Sequence, residues 1–297
     1  MELVEKVIPE PVITYKPSSP FEAKILENKR LTEEKSEDDV RHLVIDISGS
    51  KISYLEGQSI GIKAISSDPN QKVPIRLYSI ASAREGDDGF STSVSLCIKR
   101  VLFKDPETGE MIKGFTSNYI CDLKKGDSIL ITGPIGRKLL LPKDKTINLI
   151  MVAVGTGIAP FRAFIKHIYK EAGSWEGKCR LFYGSKSGME SLYMNDENND
   201  IGQYYTKDTF EAYKALSQED KTKDGKSIYV QHRLEENEKE IWEMIKENNF
   251  CLYICGIKAL EKGIDDVFTK WAKNEGLDWL TIKDNLKKEG RWNSEVY

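Results

Sequence analysis

Short runs in which apolar and polar residues alternate fill the first half of the chain. They lie at residues 21–25, 42–47, 59–64, 76–81, 93–101 and 128–132, with Gly, Asp, Asn and Ser turns between them. Alternation with a period of two is typical of a strand with one buried face, and many short strands in succession predict an antiparallel β-barrel. One helix is predicted to interrupt this barrel, from about Thr116 to Leu123, with Gly126 soon after its end.

The pattern changes after Pro142. An apolar run at 147–154 precedes a glycine-rich turn, a helical pattern at 158–169 and a further strand at 178–184, and the alternation continues to residue 256. Strands that alternate with helices predict a parallel sheet. We therefore expect two domains, an antiparallel β-barrel over 21–142 and an α/β parallel-sheet domain over 143–297. Residues 1–20, which hold four of the ten prolines, are expected to form an extended arm before the first domain.

Composition narrows the class of protein. The chain has 297 residues, 39% of them hydrophobic, which suffices for two cores. No run approaches the roughly 18 apolar residues of a membrane span, and the N-terminus lacks a signal-peptide layout. We expect a soluble protein of the bacterial cytoplasm, or of the plastid stroma after removal of a transit peptide. The net charge of −3 argues against nucleic acid as the main partner, and the five cysteines and three histidines lack the spacing of a metal site.

The strand Arg76-Leu77-Tyr78-Ser79 has the side chains that a flavin needs. Because alternate side chains of a strand share a face, Arg76 and Tyr78 point the same way, so that a guanidinium can pair with phosphate while a phenol stacks on a flat ring. Ser79 can place its hydroxyl near the flavin N5, where hydride arrives. An ordinary half-buried strand with an incidental arginine would show the same pattern.

A second motif, Gly114-Phe115-Thr116-Ser117-Asn118, opens the helix predicted in the barrel half. Unpaired backbone N–H groups and the helix dipole make such an N-terminus a natural pyrophosphate site, and the two hydroxyls add donors. A simple N-cap explains one of these hydroxyls but not both.

A third motif, Gly155-Thr156-Gly157, follows an apolar strand and precedes a helix with Pro160 in its first turn. A turn of this kind lets the backbone approach phosphate closely, although the full dinucleotide fingerprint is absent. Two later strands end in motifs that should face the same crevice: Gly184-Ser185-Lys186 and Cys255-Gly256-Ile257. Cys255 is a candidate neighbour of the nicotinamide C4, or else a small buried hydrophobe.

Six stretches, spread from residue 21 to the end, occur in a fixed order. They are EGQSIGI at 56–62, RLYSIAS at 76–82, SNYICDL at 117–123, GTGIAPFR at 155–162, EKGIDD at 261–266 and WNSEVY at 292–297. In this order they resemble plant-type ferredoxin–NADP⁺ reductase. The resemblance implies an FAD-binding barrel, an NADP(H)-binding α/β domain, and electron exchange between NADP(H) and ferredoxin or flavodoxin.

The resemblance also implies the site residues. The implied catalytic group is Ser79, Cys255, Glu295 and Tyr297, in which the terminal ring would cover the flavin and move aside for nicotinamide. The implied FAD contacts are Arg76, Leu77, Tyr78, Ser79, Cys97, Ile98, Lys99, Phe103, Phe115, Thr116, Ser117, Thr156 and Tyr297. The implied NADP(H) contacts are Lys99, Thr156, Ser185, Lys186, Ser217, Gln218, Lys226, Tyr229, Gln231, Gly256, Ile257 and Glu295.

Two positions in the expected 2′-phosphate site depart from the family pattern. Gln218 stands where an arginine is expected to grip the 2′-phosphate of NADP(H), and Lys226 is displaced by one position from the expected lysine. A phosphate held without a guanidinium loses a bidentate contact. We still expect NADP(H), with Lys226, Lys221 or Lys223 compensating, but with weaker discrimination against NAD(H).

Two other functions remain open from the sequence. The missing arginine is compatible with an NADH-linked flavin reductase module that supplies an oxygenase. A flavin-binding scaffold with little turnover is the alternative from a different class, and the intact set of Ser79, Cys255, Glu295 and Tyr297 argues against it.

Overall fold

The structure, a computed structural model, describes residues 3–8, 15–68, 70–205 and 207–297. Its contacts divide the chain into two compact units. One unit comprises residues 9–137, and the other comprises residues 138–297 together with residues 1–8.

The first unit is built almost entirely of strands. In chain order its elements are β1 (Phe21–Arg30), β2 (Val40–Asp46), β3 (Ser59–Lys63), β4 (Arg76–Ser79), β5 (Ser93–Lys99), β6 (Leu102–Lys104), β7 (Met111–Lys113), α1 (Phe115–Asp122) and β8 (Ser128–Ile135). Six of the strands form one sheet in the order β4-β3-β8-β1-β2-β5, in which every pairing is antiparallel. A bridge between Ile80 and Leu96 joins the two ends of this sheet, so the predicted antiparallel barrel is confirmed.

The barrel interior is aliphatic. Its buried side chains come from alternate positions of facing strands, such as Ala23 and Ile25 on β1 and Ile60 and Ile62 on β3. The remaining pair of strands, β6 and β7, forms a separate hairpin in which every residue is exposed. The sequence pattern did not predict this hairpin, because a strand exposed on both faces has no alternation to detect.

The second unit alternates strands with helices. Its elements are β9 (Asn148–Val154), α2 (Ala159–Lys166), β10 (Cys179–Ser185), β11 (Phe210–Leu216), α3 (Val230–Glu236), α4 (Glu238–Lys246), β12 (Phe250–Gly256), α5 (Lys258–Asn274), α6 (Trp279–Lys288) and β13 (Trp292–Val296). The five strands form a parallel sheet in the order β11-β10-β9-β12-β13, as predicted for this half. The predicted helix at 158–169 is α-helical only to Lys166 and continues as a π-helical turn to residue 171.

The described start of the chain packs on this second unit. The backbone N–H of Val4 donates to the Glu289 carbonyl at 2.9 Å, and that of Val7 donates to the Leu141 carbonyl at 2.9 Å. The Lys6 ammonium donates to the Tyr253 hydroxyl at 2.8 Å. Residues 9–14 of the expected arm lie outside the described residues.

Within residues 3–8, 15–68, 70–205 and 207–297, no helix is long and apolar enough to cross a bilayer. The same ranges hold no cluster of three His, Cys, Asp or Glu side chains that could bind a metal ion.

Aromatic rings fill the core beneath α5 and α6. The ring centroid of Phe268 lies 5.2 Å from that of Trp271, 4.9 Å from that of Trp279 and 6.3 Å from that of Trp292. Contacts of this kind stabilise a core through buried area and favourable ring geometry. All five tryptophans of the chain lie between residues 175 and 292, so tryptophan fluorescence reports on this unit alone.

Replacing Phe268 by alanine should therefore destabilise the α/β unit. We expect its free energy of unfolding to fall by about 3–5 kcal/mol, because the variant loses buried area and leaves a cavity. Guanidinium unfolding followed by tryptophan fluorescence measures this change. Leu280→Ala on α6 is the control, since that side chain is 71% exposed and the loss should stay within about 0.5 kcal/mol. Equal losses in both variants would contradict this account of the core.

Candidate cofactor and nucleotide sites

The strand β4 presents its four residues at one end of the barrel sheet. Arg76 and Leu77 are exposed, whereas Tyr78 and Ser79 are half-buried. Burial raises the pKa of Tyr78 to about 12. This phenol is therefore neutral at physiological pH, and its ring can pack against a flat cofactor while its hydroxyl donates a hydrogen bond.

Buried polar contacts hold the segment that follows β4. The carboxylate of Glu56 accepts hydrogen bonds from the Arg84 backbone N–H at 2.7 Å and from its guanidinium at 2.6 Å. The Tyr54 hydroxyl bonds to Ser82 Oγ at 2.7 Å and donates to the Ala83 carbonyl at 2.7 Å. Ser79 itself lies opposite Ser59 in the register of β3 and β4, and the next residue, Ile80, donates its N–H to the Gln58 carbonyl at 2.9 Å. The sequence singled out residues 56–62 only as part of the resemblance, and in the structure Glu56 holds the segment that follows β4.

Helix α1 begins at Phe115, and its N-cap residue, Gly114, provides no capping side chain. The Ser117 hydroxyl donates to the Gly114 carbonyl at 3.1 Å and accepts from the Val101 N–H at 3.1 Å, so it is engaged within the chain. What the first turn offers to a ligand is therefore its backbone N–H groups, which a helix leaves without an internal partner. Thr116 is buried beside them, while Phe115 and Phe103 present exposed rings nearby in sequence. Free N–H donors and exposed rings fit the pyrophosphate and the planar base of a dinucleotide.

The strand β5 offers less to a ligand than its residue types suggest. The side chains of Cys97 and Ile98 are buried in the barrel, which leaves only their backbone groups for contact. The exposed Lys99 ammonium pairs with the Asp38 carboxylate at 2.8 Å.

In the α/β unit, β9 leads into a 3₁₀ turn over Gly155–Ile158. A Cβ at position 157 would lie 2.1 Å from the Cys255 carbonyl oxygen, so only glycine allows this turn to touch β12. Gly155 has φ +54° and open space where a Cβ would be. The Tyr183 hydroxyl donates to the Gly155 carbonyl at 3.1 Å and supports the turn from β10. An open glycine backbone at the end of a parallel strand fits a close approach by phosphate.

The end of the chain lies at the same edge of the sheet. In the register of β12 and β13, Cys255 faces Glu295, and the Tyr297 N–H donates to the Gly256 carbonyl at 2.9 Å. The hydroxyls of Tyr297 and Thr156 are 2.7 Å apart, and the Tyr297 ring is 64% exposed. The structure thus brings together, within one unit, all but one of the residues in the implied catalytic group. Ser79, the remaining member, belongs to the barrel unit.

Burial raises the pKa of Glu295, and the Lys138 ammonium opposes this effect. A carboxyl with a raised pKa keeps its proton at a pH where an exposed glutamate is ionised. Cys255 is almost fully buried beside it.

The remaining NADP(H) candidates lie after β10 and β11 and at the start of α3 and α5. The Ser217 N–H donates to the Ser185 carbonyl at 3.0 Å, and the Gln218 N–H donates to the Lys186 carbonyl at 2.8 Å, so the two loops run side by side. The Ser185 hydroxyl is engaged with Ser191 Oγ at 2.8 Å. The exposed or accessible candidates in this region are Lys226, Tyr229, Gln231 and Ile257.

The barrel unit presents an uncapped helix N-terminus and exposed aromatic rings, and in the α/β unit β9 ends at a glycine turn beside the terminal aromatic residue. These features define a flavin- and nicotinamide-dependent oxidoreductase. Two family models match in the same order: the oxidoreductase FAD-binding domain over residues 29–139 and the oxidoreductase NAD-binding domain over residues 151–266.

Curated relatives identify the family. The chain is 44% identical to ferredoxin–NADP reductase of Thermosynechococcus vestitus, over 99% of this chain and 77% of the relative. It is 42% identical to the ferredoxin–NADP reductase of a Spirulina species, over 97% of this chain and 98% of the relative. It is 41% identical to the chloroplastic leaf isozyme 1 of Oryza sativa subsp. indica, over 100% of this chain and 82% of the relative. The chain belongs to the ferredoxin–NADP reductase family.

Solved structures agree with this assignment. Ferredoxin-NADP⁺ reductase from Plasmodium falciparum superposes with a TM-score of 0.75 at 27% identity, covering 96% of this chain and 100% of that one. A structure of the same reductase with 2′P-AMP gives a TM-score of 0.73 at 26% identity, with coverage of 96% and 100%.

The raised pKa of Glu295 predicts a pH dependence of stability. The folded protein favours the neutral carboxyl, so this group contributes fully to the free energy of unfolding below its unfolded pKa of about 4.3. The contribution is lost as the pH rises through the folded pKa. Glu295→Gln removes the titration, so the free energy of unfolding of the wild type should fall relative to that of the variant as the pH rises through this window.

Urea unfolding of both proteins at several pH values measures the difference. Lys138→Met serves as a second variant, because removal of the opposing ammonium should move the loss to a higher pH. Identical pH profiles for the wild type and Glu295→Gln would show that Glu295 does not hold its proton.

Proposed function

We propose that this chain is an FAD-dependent reductase that moves electrons between NADP(H) and ferredoxin or flavodoxin. It exchanges hydride with the nucleotide and single electrons with the protein partner. The observation that carries the proposal is the arrangement at the carboxyl edge of the parallel sheet. There Tyr297 contacts Gly256 and Thr156, at the edge where open α/β sheets bind nucleotides.

The residues of the barrel unit hold the cofactor in this proposal. Arg76 and the uncapped N–H groups of α1 neutralise its pyrophosphate, and the neutral phenol of Tyr78 packs on its ring. Ser79, held in β4 opposite Ser59 of β3, offers a hydroxyl to the reactive edge. Bound FAD supplies a centre that takes up two electrons as hydride and releases them one at a time. That chemistry suits a nucleotide donor and a one-electron protein acceptor.

The residues of the α/β unit hold and admit the nucleotide. The open backbone of Gly155 and the neighbouring Thr156 bind its phosphates, while the exposed Tyr297 ring covers the position that a nicotinamide ring must take. Tyr297 therefore has to leave Thr156 before the nicotinamide can bind productively. Glu295 lies opposite Cys255 in the register of β12 and β13, beside this site, and burial raises the pKa of its carboxyl.

The domain assignment and the location are part of the same proposal. Residues 21–142 form the FAD-binding domain and residues 143–297 the NADP(H)-binding domain, with residues 1–20 as an arm. The chloroplastic relative and the bacterial relatives support a plastid stroma or a bacterial cytoplasm as the location.

Purified protein tests the proposal directly. We expect a yellow protein whose flavin is FAD and whose reduction of cytochrome c depends on added ferredoxin, with a higher kcat/KM for NADPH than for NADH. Omission of ferredoxin is the control, because it removes the one-electron acceptor. A colourless protein that reconstitutes no flavin would favour the scaffold function. A preference for NADH would instead favour the oxygenase-supply module, which the glutamine at position 218 makes the second candidate.

Tyr297→Ser tests the gating role of the terminal ring. We expect the dissociation constant for NAD⁺ to fall by about fivefold and that for NADP⁺ to fall less, because the nicotinamide no longer competes with a stacked ring worth about 1 kcal/mol. Titration of the oxidised protein with each nucleotide, followed by flavin difference absorbance, measures both constants. Tyr297→Phe is the matched control, since it keeps the ring and removes only the contact with Thr156. Unchanged nicotinamide affinity in Tyr297→Ser would rule the gate out.

A further inference from the structure

We propose that Lys221, together with the Ser227 hydroxyl, recognises the 2′-phosphate of NADP(H) in this chain. The inference rests on the proposed function and names the residues that select NADP(H) over NAD(H). It addresses the position at which the chain departs from its family, where neutral Gln218 replaces an expected arginine. From the sequence, Lys226, Lys221 or Lys223 could compensate, and only Lys226 is among the implied contacts. The structure distinguishes the three side chains by their surroundings.

The segment between β11 and α3 folds back on itself as a tight hairpin. Lys221 and Ser227 form an isolated β-bridge across it. The Thr222 N–H donates to the Lys226 carbonyl at 2.8 Å, and the Gly225 N–H donates to the Thr222 carbonyl at 2.9 Å, with Gly225 at φ +76°. This backbone pairing fixes which side chains lie at the base of the hairpin and which lie at its tip.

The Lys221 side chain lies at the base, against the end of β11. Its ammonium donates to the Ser217 carbonyl at 3.2 Å and to the Ser227 hydroxyl at 3.0 Å. Ser217 is the first residue after β11, and its N–H is bonded to the Ser185 carbonyl at the end of β10. The Lys221 charge is therefore held at the carboxyl edge of the parallel sheet, where such sheets bind ligands.

Neighbouring acidic groups do not neutralise this charge. The Asp220 carboxylate pairs with the Arg233 guanidinium at 2.6 Å, and the Glu219 carboxylate accepts from the Gly188 N–H at 3.0 Å. Throughout the described ranges, Lys221 forms no ion pair, and its partners are two neutral oxygens. An ammonium has three N–H donors, so one remains for a ligand, and the Ser227 hydroxyl that accepts from Lys221 still has its own proton to donate. A charged and a neutral donor side by side suit a phosphate dianion.

The other two lysines lie at the tip of the hairpin. Lys223 is exposed, and Lys226 is exposed with both its backbone N–H and its carbonyl bonded to Thr222. Their side chains form no hydrogen bond or ion pair with any residue that the structure describes. A flexible side chain loses more entropy on binding than one already held in place, so Lys221 is the better preorganised cation.

Calorimetric titration of the FAD-loaded protein with 2′P-AMP and, separately, with 5′-AMP tests the proposal. We expect Lys221→Met to weaken the binding of 2′P-AMP at least about tenfold and to leave that of 5′-AMP within about twofold. Ser227→Ala should weaken 2′P-AMP less, because it removes a neutral donor. Lys221→Arg should keep most of the affinity, since the charge remains. The dependence of 2′P-AMP affinity on salt should become shallower in Lys221→Met.

Lys223→Met is the matched control, because it removes one lysine from the same hairpin and should bind 2′P-AMP nearly as the wild type does. Lys226→Met is the competing variant, because the resemblance implies Lys226 as a contact, and it should lose less affinity for 2′P-AMP than Lys221→Met does. Three results would overturn the proposal: wild-type affinity for 2′P-AMP in Lys221→Met, an equal loss for 5′-AMP, or the main loss in Lys226→Met. An equal loss for both nucleotides would indicate that Lys221 only braces the hairpin.

The wild-type titration separates this inference from the proposed function. If the wild type binds 2′P-AMP no better than 5′-AMP, the NADP(H) assignment fails and the role of Lys221 fails with it. If the wild type prefers 2′P-AMP and Lys221→Met keeps that preference, the assignment stands and only the choice of lysine is wrong.

Discussion

The close contact between the glycine turn and the end of β12 is the constraint on which the α/β site depends. Gly157 lies so near the Cys255 carbonyl that any side chain would collide with it. Because glycine permits this close approach, Thr156 lies where the Tyr297 hydroxyl reaches it, and Gly256 accepts the Tyr297 N–H. The pairing of β13 with β12 brings the last residue of the chain to this turn.

The same edge of the sheet combines rigid and movable parts. The parallel register aligns the ends of β9, β10, β11 and β12, so the loops that follow these strands lie at one edge of the sheet. Against this rigid frame, Tyr297 is exposed and Glu295 is partly withdrawn from water. Catalysis by a stacked cofactor needs this combination, because the nucleotide phosphates require a fixed cradle while the nicotinamide requires a position that can be vacated.

Much of the fold was predictable because its elements have strong local patterns. The barrel strands alternate, the glycine turn follows a continuous apolar strand, and the structure has both. The strands β6, β7 and β13 were missed because each is short and none has a clear period. Every residue of β6 and β7 is exposed, and β13 is an edge strand that pairs only with β12.

The sequence by itself determined the two fold classes, the family and the residue types at each site, because hydrophobic periodicity and motif order are properties of neighbouring residues. Only the tertiary structure decided which groups are available. It showed that the Ser117 hydroxyl is engaged within α1, that Lys99 is paired with Asp38, and that Lys221 rather than Lys226 faces the end of β11. The physical reason is that a hydrogen bond or an ion pair depends on the distance between groups far apart in the chain, which local pattern does not encode.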